Sequence, residues 1–246
     1  MNIFFVRHGQ TQMNKDGKLY DNFNTDEYYP ITNRGKQQAK ITGKYLKQYG
    51  KFDVVYSSPR DRCLQTANEI IKEINYNDKI IIDDLLLEGT AGILNGLTFD
   101  EAEKIAAKFK DVKKLEKKLK NEINPFIKID LTKQLHNLYS KYLKQTPVEN
   151  VYDNYKLFLK KLSKLNKKNI LIVCHSGTIS LMLKIITNIS IYNFNISIIP
   201  NEYKNDKKMY EKGNCAIMIC KYDDKYELIV PPNNLHLEKL SKKPDV

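Results

Sequence analysis

The stretch FFVRHGQTQMN, residues 4 to 14, decides how the rest of the chain is read. An apolar run, Phe4-Phe5-Val6, stops abruptly on Arg7 and His8, with a glycine next and Gln10, Thr11 and Asn14 just beyond. Short apolar runs of this kind read as strands buried on both faces. Ending one on arginine is unusual here. The chain holds 41 Lys and Arg together, yet only four are arginine: Arg7, Arg34, Arg60 and Arg62. The pattern returns in LIVCHSGT, residues 171 to 178, where an apolar run is followed by His175 and then Gly177.

Working outward, further strand-like runs are FDVVYSS at 52–58, KIIIDD at 79–84, CAIMICKY at 215–222 and YELIV at 226–230. Helical stretches separate the first four strands. TNRGKQQAKITGKYLKQYG ends on Gly50, a helix C-cap, and DRCLQTANEIIKEI alternates polar and apolar faces at helical spacing. Strands and helices in alternation give an α/β fold, a mostly parallel sheet sandwiched by helices, with the last two strands forming a hairpin at one edge. A mainly helical insertion at about residues 97–150 interrupts the pattern. It opens with Thr98 and Glu101 in capping-box spacing and is punctuated by Pro125 and Pro147. Hung on the loop after a strand, it would overhang the carboxyl edge of the sheet, where α/β folds bind ligands. It therefore reads as a cap on a single domain of residues 1–246. Residues 189–213 read as a polar connection and 231–246 as a Pro-containing tail.

Composition bounds the function. A hydrophobic fraction of 41% is enough for a real core. The formal charge of +12 invites anionic partners, but the excess is lysine spread through the chain and no nucleic-acid-binding motif accompanies it. Nucleic acid is therefore not expected as a partner. No apolar run approaches membrane-spanning length, so no membrane partner is expected either. Cys63, Cys174, Cys215 and Cys220 form neither a CxxC pair nor a regular framework, which points to a reducing compartment and away from structural zinc. The first eight residues already read as strand, leaving no room for a leader. The expected location is the cytoplasm.

Arg60 and Arg62 follow the second strand as Arg7 and His8 end the first and His175 follows the fourth. If these strands run parallel, all of these groups meet at one edge. Each has a plain alternative: a strand-terminal histidine can be a satisfied core group, and an arginine after a strand is commonly a solvated one. Together they make a site for a tetrahedral oxyanion, because guanidinium forks bind phosphate with paired hydrogen bonds that lysine cannot supply. Two arginines and two histidines with few acidic ligands suit phosphate better than a metal. The nearby carboxylate is Glu88, just after the third strand. Beside a phosphate it can supply the proton that phosphoryl transfer from an alcohol needs.

These motifs resemble those of the histidine phosphatase superfamily, the phosphoglycerate mutase-like group. The family's Arg-His-Gly-x-Thr with a downstream Asn stands here as Arg7, His8, Gly9, Thr11 and Asn14. Its Ser-Ser-x-x-x-Arg-Ala-x-Gln-Thr-Ala element stands as Ser57, Ser58, Arg62, Cys63, Gln65, Thr66 and Ala67, which selects Arg62 over Arg60. Glu88, Gly92 and Gly96 match the third element, and His175, Ser176 and Gly177 the fourth, in order over residues 4–178. PITNRGKQQA, NCAIMI and the His236-Leu237 pair add looser matches.

The resemblance implies a phosphohistidine mechanism without a cofactor or metal. His8 attacks phosphorus; Arg7, Arg62 and His175 hold the oxygens; Glu88 protonates the leaving alcohol and then deprotonates water. Thr11, Asn14, Ser176 and Gly177 are expected to contact the substrate, a phosphorylated small molecule. The mutases of the group resemble one another in an Arg-His-Tyr-Gly stretch after the acid and in a tryptophan in the first motif. This chain has Gly89, Thr90 and Ala91 in the one place and Met13 in the other, which favours a phosphatase over a 2,3-bisphosphoglycerate-dependent phosphoglycerate mutase. A binding module without catalysis is a third reading. Many relatives read Glu-Ser-x-x-Asp near residue 150 with a later Arg; here Glu149, Asn150 and Asp153 are followed by Leu157. A homodimer stays open. The buried-looking cysteines, His136 and His236 are expected to be structural or solvated.

Overall fold

The structure, a computed structural model, describes residues 1–19, 29–193 and 213–241. In chain order the elements are β1 (Asn2–Arg7), α1 (Gln12–Lys15), α2 (Asn33–Leu46), β2 (Val54–Ser57), α3 (Asp61–Ile74) and β3 (Ile81–Ile82). The insertion supplies α4 (Phe99–Ala106), α5 (Lys110–Asn121) and α6 (Pro125–Leu143). Then come α7 (Val148–Leu162), β4 (Asn169–Cys174), α8 (Ser176–Ile186), β5 (Ile217–Asp223), β6 (Lys225–Asn233) and α9 (Glu238–Ser241).

The six strands form one sheet in the order β3-β2-β4-β1-β5-β6. β3, β2, β4 and β1 are parallel, while β5 and β6 are antiparallel and form the edge hairpin. The continuous apolar run in β1 is explained by its central place. Ile3 and Phe5 face α7 and α8, packing with Tyr155, Phe158, Leu162, Ile179 and Met182. Phe4 and Val6 face the other layer, with Ala39 and Leu46 of α2 and Ala67 and Ile70 of α3. All four side chains are fully buried, each contributing roughly 1.5–3 kcal/mol.

Two strand expectations need correction. KIIIDD forms only a two-residue strand, and Ile81 and Ile82 are exposed at the sheet edge. The run stops because the Asp83 carboxylate accepts from Leu85 N at 3.0 Å, turning the chain into a 3-10 turn over Asp84–Leu86. The supposed tail from 231 is structured as far as 241. Pro231 and Pro232 lie within β6, where an edge strand can spare their missing N–H groups. Beyond them Leu237 is buried against the α2 layer, while residues 242–246 lie outside the described residues. The same holds for 194–212, most of the predicted connection.

In the insertion, the capping box forms as expected: Glu101 N donates to Thr98 Oγ1 and Thr98 N to the Glu101 carboxylate. The helical stretch that follows is divided between Ala107 and Phe109 into α4 and α5. α4, α5 and α6 gather their own apolar cluster around Ala102, Val112, Leu115, Leu135 and Leu143. Gly92 ties this unit to the segment after Glu88. Its φ is +61°, and a Cβ there would lie 2.0 Å from the Leu143 carbonyl oxygen.

Candidate active site

β4 lies between β1 and β2, and the three end level with one another: Arg7 pairs with Cys174 and Ser57 with Val173. The ladder continues one residue further, His8 N donating to Cys174 O at 2.9 Å and Ser58 N to Val173 O at 3.0 Å. The residues that follow the strands are thus held by sheet hydrogen bonds and not by loops. This brings His8 and His175 together with ring centroids 5.6 Å apart, both buried. Arg62, in the first turn of α3, is buried beside them. Arg34 lies elsewhere, donating to Leu240 O.

His8 Nδ1 is 2.8 Å from Gly9 O. A carbonyl only accepts, so Nδ1 carries the proton and the lone pair sits on Nε2. Burial, then Arg62 and Arg7, hold its pKa well below the ordinary histidine value against the opposing pull of the Gly9 bond. His175 has the opposite tautomer. Arg62 Nη2 donates to Nδ1 at 3.2 Å, and Nε2–H faces Ser58 Oγ at 2.8 Å. Burial comes first among the causes that depress its pKa well below normal, followed by Arg62, His8, Arg60 and Arg7. Burial beside guanidinium groups thus favours the neutral form of both rings.

Glu88 closes the constellation. Its Oε1 accepts from Gly177 N at 2.7 Å, in the first turn of α8, and Oε2 lies 3.6 Å from His175 Nδ1. That second distance is proximity, not an ion pair, because Nδ1 is occupied as an acceptor from Arg62. A Cβ on residue 177 would fall 2.5 Å from Glu88 Oε1, so the carboxylate reaches the helix only because this residue is glycine.

Thr11 and Asn14 act on the loop that carries His8. Thr11 is the N-cap of α1, accepting from Asn14 N, and Asn14 Oδ1 accepts in return from Thr11 N at 3.2 Å. Ser176 opens α8, its carbonyl accepting from Ser180 Oγ. Other matched residues brace the same loop and the segment before α2. Thr66 Oγ1 accepts from Gly9 N, Gln38 Oε1 accepts from Gln10 N, and Gln65 Oε1 accepts from Ile31 N.

Asn214 was missed as a site residue. Its Nδ2 donates to Asn14 Oδ1 at 2.9 Å and to His8 O at 3.2 Å, clamping the His8 loop from the β5 side. The signals available were the loose NCAIMI match, which begins at Asn214, and topology: an antiparallel neighbour of β1 begins where β1 ends, so the residues leading into β5 also arrive at the site. The four cysteines are buried and free, and burial favours their thiol form. Cys63, next to Arg62, is buried and its pKa is pushed up to about 12, and burial also raises Cys174 well above normal. Among the described residues no three His, Cys, Asp or Glu side chains gather as metal ligands would. His236 is structural, bonded to Thr42 Oγ1 at 2.8 Å and stacked on Tyr45.

A family model described as the histidine phosphatase superfamily (branch 1) matches residues 3–226. A 2,3-bisphosphoglycerate-dependent phosphoglycerate mutase of Bartonella henselae is 34% identical over 101 residues, 40% of this chain, and the match spans about half of that relative, 47% of its length. A Schizosaccharomyces pombe protein named "Probable phosphatase" is 28% identical over 182 residues, 74% of this chain and 71% of its own. Among solved structures, a phosphoglycerate mutase from Bacillus anthracis shares the fold with a TM-score of 0.71, covering 98% of this chain and 97% of that one at 20% identity. With the family model matched from the first strand to the last and the fold matched along the whole chain, this chain belongs to the histidine phosphatase superfamily.

Proposed function

We propose that this chain hydrolyses phosphomonoesters of small molecules through a phosphohistidine on His8, in the cytoplasm and without a metal ion or other cofactor. The observation that carries the reading is the tautomer of His8: Nδ1–H is tied to Gly9 O, so the lone pair is on Nε2 of a buried neutral ring flanked by arginines. In the first step a bond forms from Nε2 to phosphorus and the ester P–O bond breaks, the departing oxygen taking a proton from Glu88. In the second, water attacks the phosphorus, Glu88 takes its proton, and the P–N bond breaks to restore His8 and release phosphate. Arg7 and Arg62 hold the oxygens throughout, offsetting charge as the fixed dipoles of such sites do, while His175, whose one N–H faces Ser58 and whose Nδ1 accepts from Arg62, takes part by fixing the Arg62 guanidinium. Asn14, Thr11, Ser176 and Gly177 complete the substrate-facing loops in this reading, the first two by shaping the His8 loop.

We further read residues 1–246 as one domain, with the insertion at about 97–150 as its cap. The contact of Gly92 with the end of α6, and the bond from Thr90 N to Thr146 Oγ1 at 2.9 Å, support a cap coupled to the Glu88 segment. The exposed Ile81 and Ile82 on the edge strand β3 support a homodimer through that edge. The mutase reading draws on the Bartonella relative. Against it, Gly89, Thr90 and Ala91 present no cation for a phosphoglycerate carboxylate.

The test is hydrolysis of p-nitrophenyl phosphate in EDTA by wild type and His8→Ala, with a denaturing alkaline quench after mixing with a 32P-labelled substrate to trap the phosphoenzyme. Activity that survives chelation, an acid-labile label on the wild type, and loss of both in His8→Ala are expected. Turnover that persists in His8→Ala would overturn the assignment. Isomerisation of 3-phosphoglycerate exceeding hydrolysis would replace the phosphatase by the mutase.

A further inference from the structure

The turn between α5 and α6 exposes what a folded surface normally hides. Ile123 is 91% exposed, Phe126 81% and Ile127 47%, three large apolar side chains within five residues. They belong to none of the three core clusters. The turn is built, not loose. Glu122 Oε1 accepts from Ile123 N and Asn124 N, and Asn124 Oδ1 accepts from Phe126 N and Ile127 N, with Pro125 at the first position of α6. Lysines surround it: Lys114, Lys117, Lys118 and Lys120 are exposed on α5. Three of them line a groove of about 530 Å³ with Ile127 and Leu131. Across residues 110–133 there are eight lysines against four carboxylates.

We propose that this tip of the cap docks on an anionic phospholipid surface, Ile123, Phe126 and Ile127 entering the interface and the lysines meeting the headgroup phosphates. A second copy of the chain would bring the same positive surface to the tip, so charge opposes self-association there. The apolar groups stand out from a turn, a shape that enters a fluid interface without needing a matching cavity, whereas a protein partner would have to supply one. Basic side chains around a small apolar wedge are the combination that holds peripheral proteins to acidic membranes. No helix of the described residues is long and apolar enough to cross a membrane, and the docking asks for none.

The test uses the full chain with vesicles of phosphatidylcholine alone or with about 30% phosphatidylserine, the anionic component that supplies the surface potential. The chain has no tryptophan, so Phe126→Trp gives a single reporter at the tip. Flotation with the anionic vesicles only, weakened at about 0.5 M salt, and a blue shift of that tryptophan are expected. A double variant, Ile123→Asn with Phe126→Asn, should lose about tenfold or more in partition, as removing two buried apolar groups implies, with hydrolysis of p-nitrophenyl phosphate unchanged. Absence of flotation by the wild type would overturn the proposal. So would equal flotation of the double variant, which would reduce the effect to lysine charge. Concentration-dependent self-association abolished by the double variant would assign the tip to a second copy. A tryptophan shift with polyglutamate but not with vesicles would assign it to an acidic protein; either result overturns membrane docking.

Discussion

At the scale of single residues the site is a set of close fits around neutral histidines. His8 and His175 are buried next to guanidinium groups, and the cation that would form on either ring is opposed by desolvation first and by like charge second. Gly177 shows how little room the Glu88 carboxylate has. Its N–H donates to Glu88 Oε1, and the position of its missing Cβ is 2.5 Å from that same oxygen. Gly177→Ala must move the carboxylate while keeping its donor. Because kcat/KM reports the step in which the alcohol leaves, the defect should follow the leaving group. For an alkyl phosphate, kcat/KM should fall roughly 10- to 100-fold, part of the ~10²–10⁴ that general acid catalysis is worth. For p-nitrophenyl phosphate, whose leaving group needs little protonation, it should stay within about threefold. Equal losses on both substrates would show that the carboxylate position is not what the glycine protects. The residues at strand exits were legible in the sequence because a rare residue type followed an apolar run. Asn214 was not picked out as a site residue: it opens NCAIMI, matched only loosely, and what ties it to His8 is the strand order that sets β5 beside β1.

At the scale of elements, what the sequence conveyed well was period and what it conveyed poorly was ending. DRCLQTANEIIKEI is the observed α3 residue for residue, its end set by Asn75 at φ 55°. KIIIDD lost most of its strand to one side-chain bond of Asp83, and the prolines of β6 misled because an edge strand tolerates them. Neither event changes hydrophobic pattern, so neither is visible in it. The packing of α7 on α8 was also hidden, and it bears on the site. Tyr155 of α7 is fully buried, and its hydroxyl donates to Leu87 O at 3.0 Å while accepting from Thr178 Oγ1 of α8 at 2.9 Å. One side chain thus pins the residue before Glu88 to the helix that holds the Glu88 carboxylate. Tyr155→Phe keeps the ring and leaves both partners unmet. Urea unfolding should lose roughly 1–3 kcal/mol with an unchanged m value. A loss under about 0.5 kcal/mol would mean that this bridge does not hold the elements together.

At the scale of the whole molecule, buried neutral histidines make stability depend on pH. His8, His175 and His236 all have pKa values depressed by burial, His236 to about 4, from an unfolded value near 6.5. Above 6.5 neither the folded nor the unfolded chain holds these protons, and the full stability is present. As pH falls below 6.5 the unfolded chain binds protons that the folded chain refuses, so stability falls. For His236 the loss is complete near pH 4; for His8 and His175 it continues until their own depressed values are passed. The slope approaches about 1.4 kcal/mol per pH unit for each histidine involved. The net charge of +12 works in the same direction, because acid adds to the self-repulsion of an already cationic chain. Salt separates the two causes. At about 1 M salt the repulsion between surface charges is screened, whereas the exclusion of protons from buried rings is not. The urea midpoint should therefore still fall between pH 6.5 and 5 at high salt, and His236→Gln should remove about one proton from the slope. A midpoint that becomes flat over this range once salt is added would place the acid sensitivity on the lysine-rich surface and not on the histidines of the core.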